Sequence, residues 1–164
     1  MDFEDYVTTR GRALERYAFV LSGDAHTAQD LVQTALLKAY RRWRSVTLAD
    51  HPDAYVRRIL TTSYLDWRRR PGTAEEPLGD LPEAPGGRDP ADGVVGRDEL
   101  RRALATLTPH QRAVLVLRHY EGYDDAAIAA VLDCGEGTVR THASRGAERL
   151  RRALAAPDLP RSSR

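Results

Sequence analysis

The 26 residues from Pro71 to Gly96 contain 5 prolines and 6 glycines. Only Leu78, Leu81, Val94 and Val95 among them are large and apolar. Proline removes backbone donors and glycine leaves the backbone unconstrained, so regular structure does not run through such a stretch. A structureless loop of this length is rare inside one compact domain. The chain of 164 residues therefore reads as two folded pieces. Residues 1–70 and 98–156 are the expected domains, 71–97 a flexible linker and 157–164 a disordered tail. No internal repeat is visible.

Both pieces carry the helical period. A first helix is expected from Phe3 to about Leu21, with Val7, Leu14, Tyr17 and Leu21 on one side. Gly23 breaks it and Asp24 can cap the next. Apolar residues then fall at 28, 31/32, 35/36, 39/40 and 43, predicting a helix that ends at Trp43. Pro52 suits a first turn. The helix over 53–70 shows Tyr55, Val56, Ile59, Leu60, Tyr64 and Trp67 along one face and ends in Arg68-Arg69-Arg70. In the second piece, Leu100, Leu104 and Leu107 mark a short helix. Thr108-Pro109-His110-Gln111 is a capping box. A helix to His119 is expected to end at Gly122. Asp124 or Asp125 would cap Ala126–Leu132, and a long helix would run from about Thr138 to Leu154. No segment alternates as a strand would, so the fold class expected is all-α.

The charge balance hides segregation. The net charge is +1. Residues 1–70 carry +3, residues 71–99 carry −6 and residues 100–164 carry +4. Two basic lobes flanking an acidic middle point to polyanionic partners. Of the 25 basic residues only Lys38 is lysine; GC-rich codon usage accounts for that bias. One cysteine, Cys134, excludes a disulfide framework and a cysteine-built zinc finger. No apolar run reaches membrane-spanning length and the start Met1-Asp2-Phe3-Glu4-Asp5 is acidic, so a cytoplasmic protein without membrane insertion is expected.

The segment 124–154 has helix-turn-helix spacing. Ala126, Ala127, Ala129 and Ala130 allow close helix crossing, and Gly135 is expected to permit the turn. The second helix offers Arg140, Thr141, Ser144 and Arg145 away from Val139. Arginine grips guanine edges or phosphates and hydroxyls bond either. A solvated helix always has polar residues outside, but the turn and the arginines favour DNA. The helix 53–70 offers a second surface with Arg57, Arg58, Thr61, Thr62, Arg68 and Arg69. Tyr64 and Trp67 lie nearby; charge with flat faces suits unpaired bases. Taken singly, Tyr64, Trp67 and Trp43 are more often core residues. His26, His51, His110, His119 and His142 lack metal-ligand spacing, Asp124-Asp125 reads as a cap, and Cys134 as a small hydrophobe. There is no phosphate loop and no nucleophile elbow. No cofactor, metal or catalytic residue is expected.

Leu21-Ser-Gly-Asp, Asp30-Leu31-Val32-Gln33, Ala39-Tyr40-Arg41-Arg42-Trp43 and Asp53-Ala-Tyr-Val-Arg-Arg-Ile to Asp66-Trp67-Arg68-Arg69-Arg70 resemble the second conserved domain of bacterial RNA polymerase sigma factors. Leu107-Thr-Pro-His-Gln-Arg, Gly122-Tyr123, Ile128-Ala129, Gly137-Thr138-Val139-Arg140-Thr141 and Ser144-Arg145-Gly146 resemble their fourth domain. Two such domains on a short linker resemble the extracytoplasmic-function (ECF) group. Phe3-Glu4-Asp5-Tyr6-Val7, Arg57-Arg58 and Ser144-Arg145-Gly146 are similar to its actinobacterial sigma-E-type subgroup. The match spans about residues 2–70 and 98–154.

The resemblance implies a sigma-2-like helical bundle and a sigma-4-like helix-turn-helix domain, and a factor that performs no covalent chemistry. Asp30, Leu31, Val32 and Gln33 match the helix that docks on core RNA polymerase, whose beta and beta-prime subunits are the implied partners; Asp30 and Gln33 are the favoured contacts. Arg57, Arg58, Thr61, Thr62, Trp67, Arg68 and Arg69 match the element that opens and reads the −10 region of promoter DNA. Thr138, Arg140, Thr141, Ser144 and Arg145 match the −35 recognition helix. The acidic linker matches the segment that threads toward the polymerase active site. ECF proteins are often held by an anti-sigma factor, which makes one an implied partner. Three positions depart from the pattern. Thr62 stands where many ECF members carry Asn, Arg140 where Lys is usual, and His142 where Arg or Gln is common, so base preferences do not transfer. The rivals are an ordinary helix-turn-helix regulator, a nucleic-acid-modifying enzyme and a helical adaptor.

Overall fold

A computed structural model describes residues 1–49, 51–71 and 96–155. The expected tail lies outside these residues, as does all of the expected linker except its ends. Among the described residues the fold is all-α. The helices are α1 (Phe3–Ser22), α2 (Ala25–Arg41), α3 (Trp43–Leu48), α4 (Pro52–Arg69), α5 (Arg97–Ala105), α6 (Pro109–Leu115), α7 (Asp125–Leu132) and α8 (Glu136–Ala155), with a π-helical segment, Val116–Tyr120, after α6.

Local chemistry sets the helix ends. Asp2 accepts from the Asp5 amide at 2.8 Å to start α1. Gly23, at φ 75°, closes α1 with its amide on Phe19 O, a conformation that favours a residue without Cβ. Asp24 then accepts from the Thr27 amide at 2.8 Å and its hydroxyl at 2.7 Å. These bonds hold the Asp24 carboxyl below its ordinary value. The capping box opens α6: Thr108 Oγ1 accepts from the Gln111 amide and Gln111 Oε1 from the Thr108 amide. Asp124 caps α7 by accepting from Ala127.

Three sequence expectations change here. The helix expected to end at Trp43 breaks at Arg42 (φ −121°, ψ 24°) and restarts as α3. The Trp43 ring there meets Phe3 at 5.4 Å and Tyr6 at 5.2 Å. The helix from Pro109 widens after Leu115, and the Glu121 amide bonds Val116 O, five residues back. The turn into α8 is made by Asp133 at φ 53°, not by Gly135. Aspartate tolerates that region better than most residues.

In the first domain α1, α2 and α4 pack on one another. Leu14, Tyr17, Leu21, Ala35, Ala39, Val56 and Leu60 are fully buried there. Each fully buried large apolar side chain contributes roughly 1.5–3 kcal/mol. In the second, α8 receives α5, α6 and α7 and buries Val139, Ala143 and Gly146. A Cβ on Gly146 would lie 3.1 Å from Leu115 Cδ1 and 3.2 Å from Gln111 Cβ, so glycine lets α6 and α8 approach. On the same pair of helices the His110 and His142 rings stack at 5.4 Å. Burial, then His142 and Arg69, hold His110 below its ordinary value.

The two domains share one hydrophobic cluster. Helix α4 packs on α7 and α6, and α1 on the π-helical segment. The sequence gives no signal of this seam.

Two outcomes test the packing. Gly146→Val should destabilise the chain by about 1–3 kcal/mol through overpacking. Gly11→Ala should stabilise it by about 1 kcal/mol, because a Cβ there meets only Val7 Cγ1 at 3.9 Å. Thermal denaturation followed by circular dichroism reads both. A third outcome tests the imidazole stack. A base whose folded pKa is lowered favours the neutral form, so its contribution is present above the ordinary 6.5 and is lost as pH falls through the folded value. His110→Gln should flatten the loss of stability between neutral pH and mildly acidic pH relative to wild type.

Candidate nucleic-acid interface

Helix α8 divides cleanly. Val139 and Ala143 face the core at 0% and 4% exposure, while Thr138, Arg140, Thr141, Ser144 and Arg145 are all exposed. Thr141 donates back to Gly137 O at 3.0 Å. Arg140 lies 3.9 Å from Glu136, an exposed pair that yields readily to a phosphate. The structure thus brings together all five residues expected on the −35 helix. His142 lies against His110 instead of standing free beside them.

Helix α4 does not expose all of its expected residues. Arg58, Thr62 and Arg69 are exposed, and Trp67 and Arg68 are half-buried. The Trp67 ring lies tilted by 39° against that of Tyr64, centroids 6.2 Å apart. Tyr64 itself is core, at 1% exposure. Arg57 and Thr61, expected to face DNA, are buried at 4% and 0%. For these two the sequence expectation does not describe this structure. Arg57 Nε donates to Glu121 Oε2 at 2.9 Å, a second guanidinium nitrogen donates to Asp53, and the group lies over the Tyr17 ring. Thr61 donates to Arg57 O at 2.7 Å, which leaves Tyr17 to donate to Thr61 Oγ1 at 2.6 Å. Tyr6 donates to Asp53 at 2.9 Å.

The electrostatics of this node follow from burial. Loss of water lowers the Arg57 pKa, but Glu121 and Asp53 outweigh it and the net shift is upward. Burial pushes Glu121 above the usual carboxylate range, with Arg57 pulling it part of the way back. Burial also raises Tyr6 and Tyr17, so both phenols remain protonated donors.

A second tie crosses the seam. Arg112, at 6% exposure, donates to Val20 O from Nε at 3.0 Å and from a terminal nitrogen at 2.8 Å. Arg58 lies 3.9 Å from Asp133. Sequence reasoning missed Glu121, Arg112 and Val20 as partners. Only the Asp53–Arg57 pair, at i,i+4 on one helix, had a readable spacing.

On α2, Asp30 and Gln33 are exposed, whereas Leu31 and Val32 are buried at 6% and 4%. The latter two are core residues here and not a docking surface, because the helix turns them toward the bundle. Leu37 at 53% and Tyr40 at 61% are exposed apolar residues. Positions 30, 33, 37 and 40 form one helical stripe. The helical period alone puts Tyr40 with the core face.

Among the described residues no group of three or more His, Cys, Asp and Glu side chains could hold a metal ion, and no helix is long and apolar enough to cross a membrane. Cys134 is half-buried, and burial, then Asp133, push its thiol up.

Residues 6–73 match the Sigma-70 region 2 family and residues 97–150 match Sigma-70 region 4. The RNA polymerase sigma-E factor of Streptomyces coelicolor is 40% identical over 159 residues, covering 97% of this chain and 89% of its own. The ECF RNA polymerase sigma factor SigM of Mycobacterium tuberculosis is 30% identical over 152 residues, covering 93% and 76%. Among solved structures, the sigma factor RpoE of Bartonella quintana, in complex with the anti-sigma factor NepR, superposes with a TM-score of 0.72 at 27% identity, over 95% of this chain and 98% of that one. With both regions matched in order and a relative of this identity covered almost end to end, the chain belongs to the sigma-70 family of RNA polymerase sigma factors, within the ECF group.

Proposed function

We propose that this protein is a transcription initiation factor that binds core RNA polymerase, directs it to promoters and helps open the DNA. The observation that carries the reading is helix α8. Val139, Ala143 and Gly146 anchor it, and its outward side is a run of arginines and hydroxyls free to enter a major groove. In this reading Thr138, Arg140, Thr141, Ser144 and Arg145 contact the −35 duplex. Arg58, Thr62, Trp67, Arg68 and Arg69 on α4 contact the −10 strand, joined by Arg57 and Thr61 when they are accessible. Asp30 and Gln33 dock on polymerase, and the exposed Leu37 and Tyr40 extend that stripe. Leu31 and Val32 support it from the core. The protein carries out no covalent step; nucleotide addition belongs to the polymerase. It acts in the cytoplasm, where polymerase and DNA are. An anti-sigma factor is a partner in the same reading, and the likeness to RpoE, whose structure holds NepR, supports it.

An ordinary helix-turn-helix regulator is the reading to be separated from this one. The double variant Asp30→Ala with Gln33→Ala should abolish binding to core polymerase in a pull-down while leaving binding to upstream duplex unchanged. A regulator would be indifferent to both changes and would bind its operator tightly without polymerase. Arg140→Ala should weaken promoter binding by about 1–3 kcal/mol if the guanidinium is bidentate to a guanine. An equal loss on every sequence, with a shallower salt dependence, would make it a phosphate contact instead.

A further inference from the structure

We infer that Arg69, His110 and His142 form a binding site for a doubly charged phosphate, either inorganic phosphate or the terminal phosphate of a small phosphorylated molecule. Three helices supply the group. His110 in the first turn of α6 and His142 on α8 stack ring on ring, with centroids 5.4 Å apart and planes 23° from parallel. Arg69, in the last turn of α4, completes it, because α4 packs on α6 and the Arg69 charge acts on His110. Arg69 is exposed and both imidazoles are half-buried, so the group opens to solvent. Among the described residues neither imidazole has a hydrogen-bond or ion-pair partner.

The charges gathered there have one sign. The groups that act on His110 are His142 from α8 and Arg69 from α4. On the same helix as His110, Arg112 is committed to the Val20 carbonyl. One residue before Arg69, Arg68 brings a further guanidinium against Arg112, and its Nε is buried with no hydrogen-bond partner. Among the described residues the one carboxylate paired with any of the three site residues is Asp66, 3.8 Å from Arg69. Both members of that pair are exposed, so it contributes little and gives way readily. Basic residues in a last turn complement the helix dipole. That accounts for Arg68 and Arg69 but not for two imidazoles brought beside them from α6 and α8.

The donor set fits a phosphate with two negative charges. Each imidazolium offers two N–H donors and the guanidinium five, and a tetrahedral oxyanion can accept from all three side chains. Free phosphate and phosphate monoesters carry close to two negative charges at neutral pH, whereas a phosphodiester carries one, so the former balance the group more fully. At His110 the bound dianion offsets the burial and the like charges that hold the ring below its ordinary value, and it favours the protonated form. Binding therefore takes up a proton. Affinity rises as pH falls, until the phosphate is itself protonated at about pH 6.

The test uses the full chain without polymerase or promoter, so its outcome is independent of the function proposed above. Imidazole resonances of the isotope-labelled protein are followed against pH in chloride, inorganic phosphate, methyl phosphate and dimethyl phosphate at equal ionic strength. Inorganic phosphate should make His110 titrate at least about one pH unit higher than chloride does, while His26, His51 and His119 keep their chloride curves. Arg69→Gln and His142→Gln should each weaken phosphate binding at least about tenfold. The charge control Arg151→Gln, at an exposed position on α8, should not. Circular dichroism checks that each variant keeps its helix content. Equal action by methyl phosphate assigns the site to a terminal phosphoryl group, and loss of action on methylation assigns it to free phosphate. His110 curves that coincide in phosphate and chloride overturn the inference. So does a displacement shared by all five histidines, which reports general screening, and so does a response that survives Arg69→Gln in full. Dimethyl phosphate acting as strongly as inorganic phosphate overturns the assignment to a dianion, since a phosphodiester would then suffice.

Discussion

A single guanidinium ties the molecule together. Arg57 is 4% exposed, and a buried charge is tolerated only when its donors are satisfied. The fold meets that demand from three directions. Asp53 comes from one turn earlier on α4, Glu121 from the end of the π-helical segment, and the Tyr17 face from α1. Thr61 bonds the Arg57 carbonyl and receives Tyr17 OH, so the backbone of α4 is fixed at the same point. Tyr6 secures Asp53. Elements from both domains thus converge on one residue. Removing either carboxylate leaves a guanidinium donor unsatisfied in a dry site, so the node depends on its members jointly.

This arrangement explains why one helix has two kinds of surface. Val56, Leu60 and Tyr64 hold α4 in the first bundle. Arg58, Thr62 and Arg69 remain exposed. Arg57 and Arg68 lie between these faces, covered by the second domain. The same division occurs on α8, where small residues admit α6 and α7 closely and leave the arginine-bearing side clear. In both helices the core face fixes the direction of the functional face to within one residue of register. Packing is therefore what aims the groups proposed to contact DNA.

Much of this was legible from residues alone because it is local. Asp24, Thr108, Gln111 and Asp124 each announce a helix start through a bond spanning three residues, and the 3.6-residue period announces which face is buried. Arg140, Thr141, Ser144 and Arg145 of α8 follow from that period without tertiary information, and Thr138 joins them only through the family resemblance. What escaped was non-local or geometric. Glu121 lies 64 residues from Arg57 and Val20 lies 92 from Arg112, and no spacing encodes such pairs. Leu31 and Val32 were grouped with Asp30 and Gln33 because they share a motif, although successive helical residues point apart. The expectation that Gly135 makes the turn failed because Asp133 adopts the left-handed conformation two residues earlier. The whole-chain charge of +1 was equally uninformative, since it averages basic helices against acidic segments.

The central claim is that α4 and α8 act together on one promoter in the company of polymerase. Permanganate footprinting measures it directly, because only unpaired thymines react. On a panel of upstream sequences, the protein with core polymerase should make thymines near position −10 reactive on those templates where α8 also protects a −35 site. Neither component alone should do so. Protection at −35 without any reactive thymine, on every template and with core polymerase present, would contradict the account.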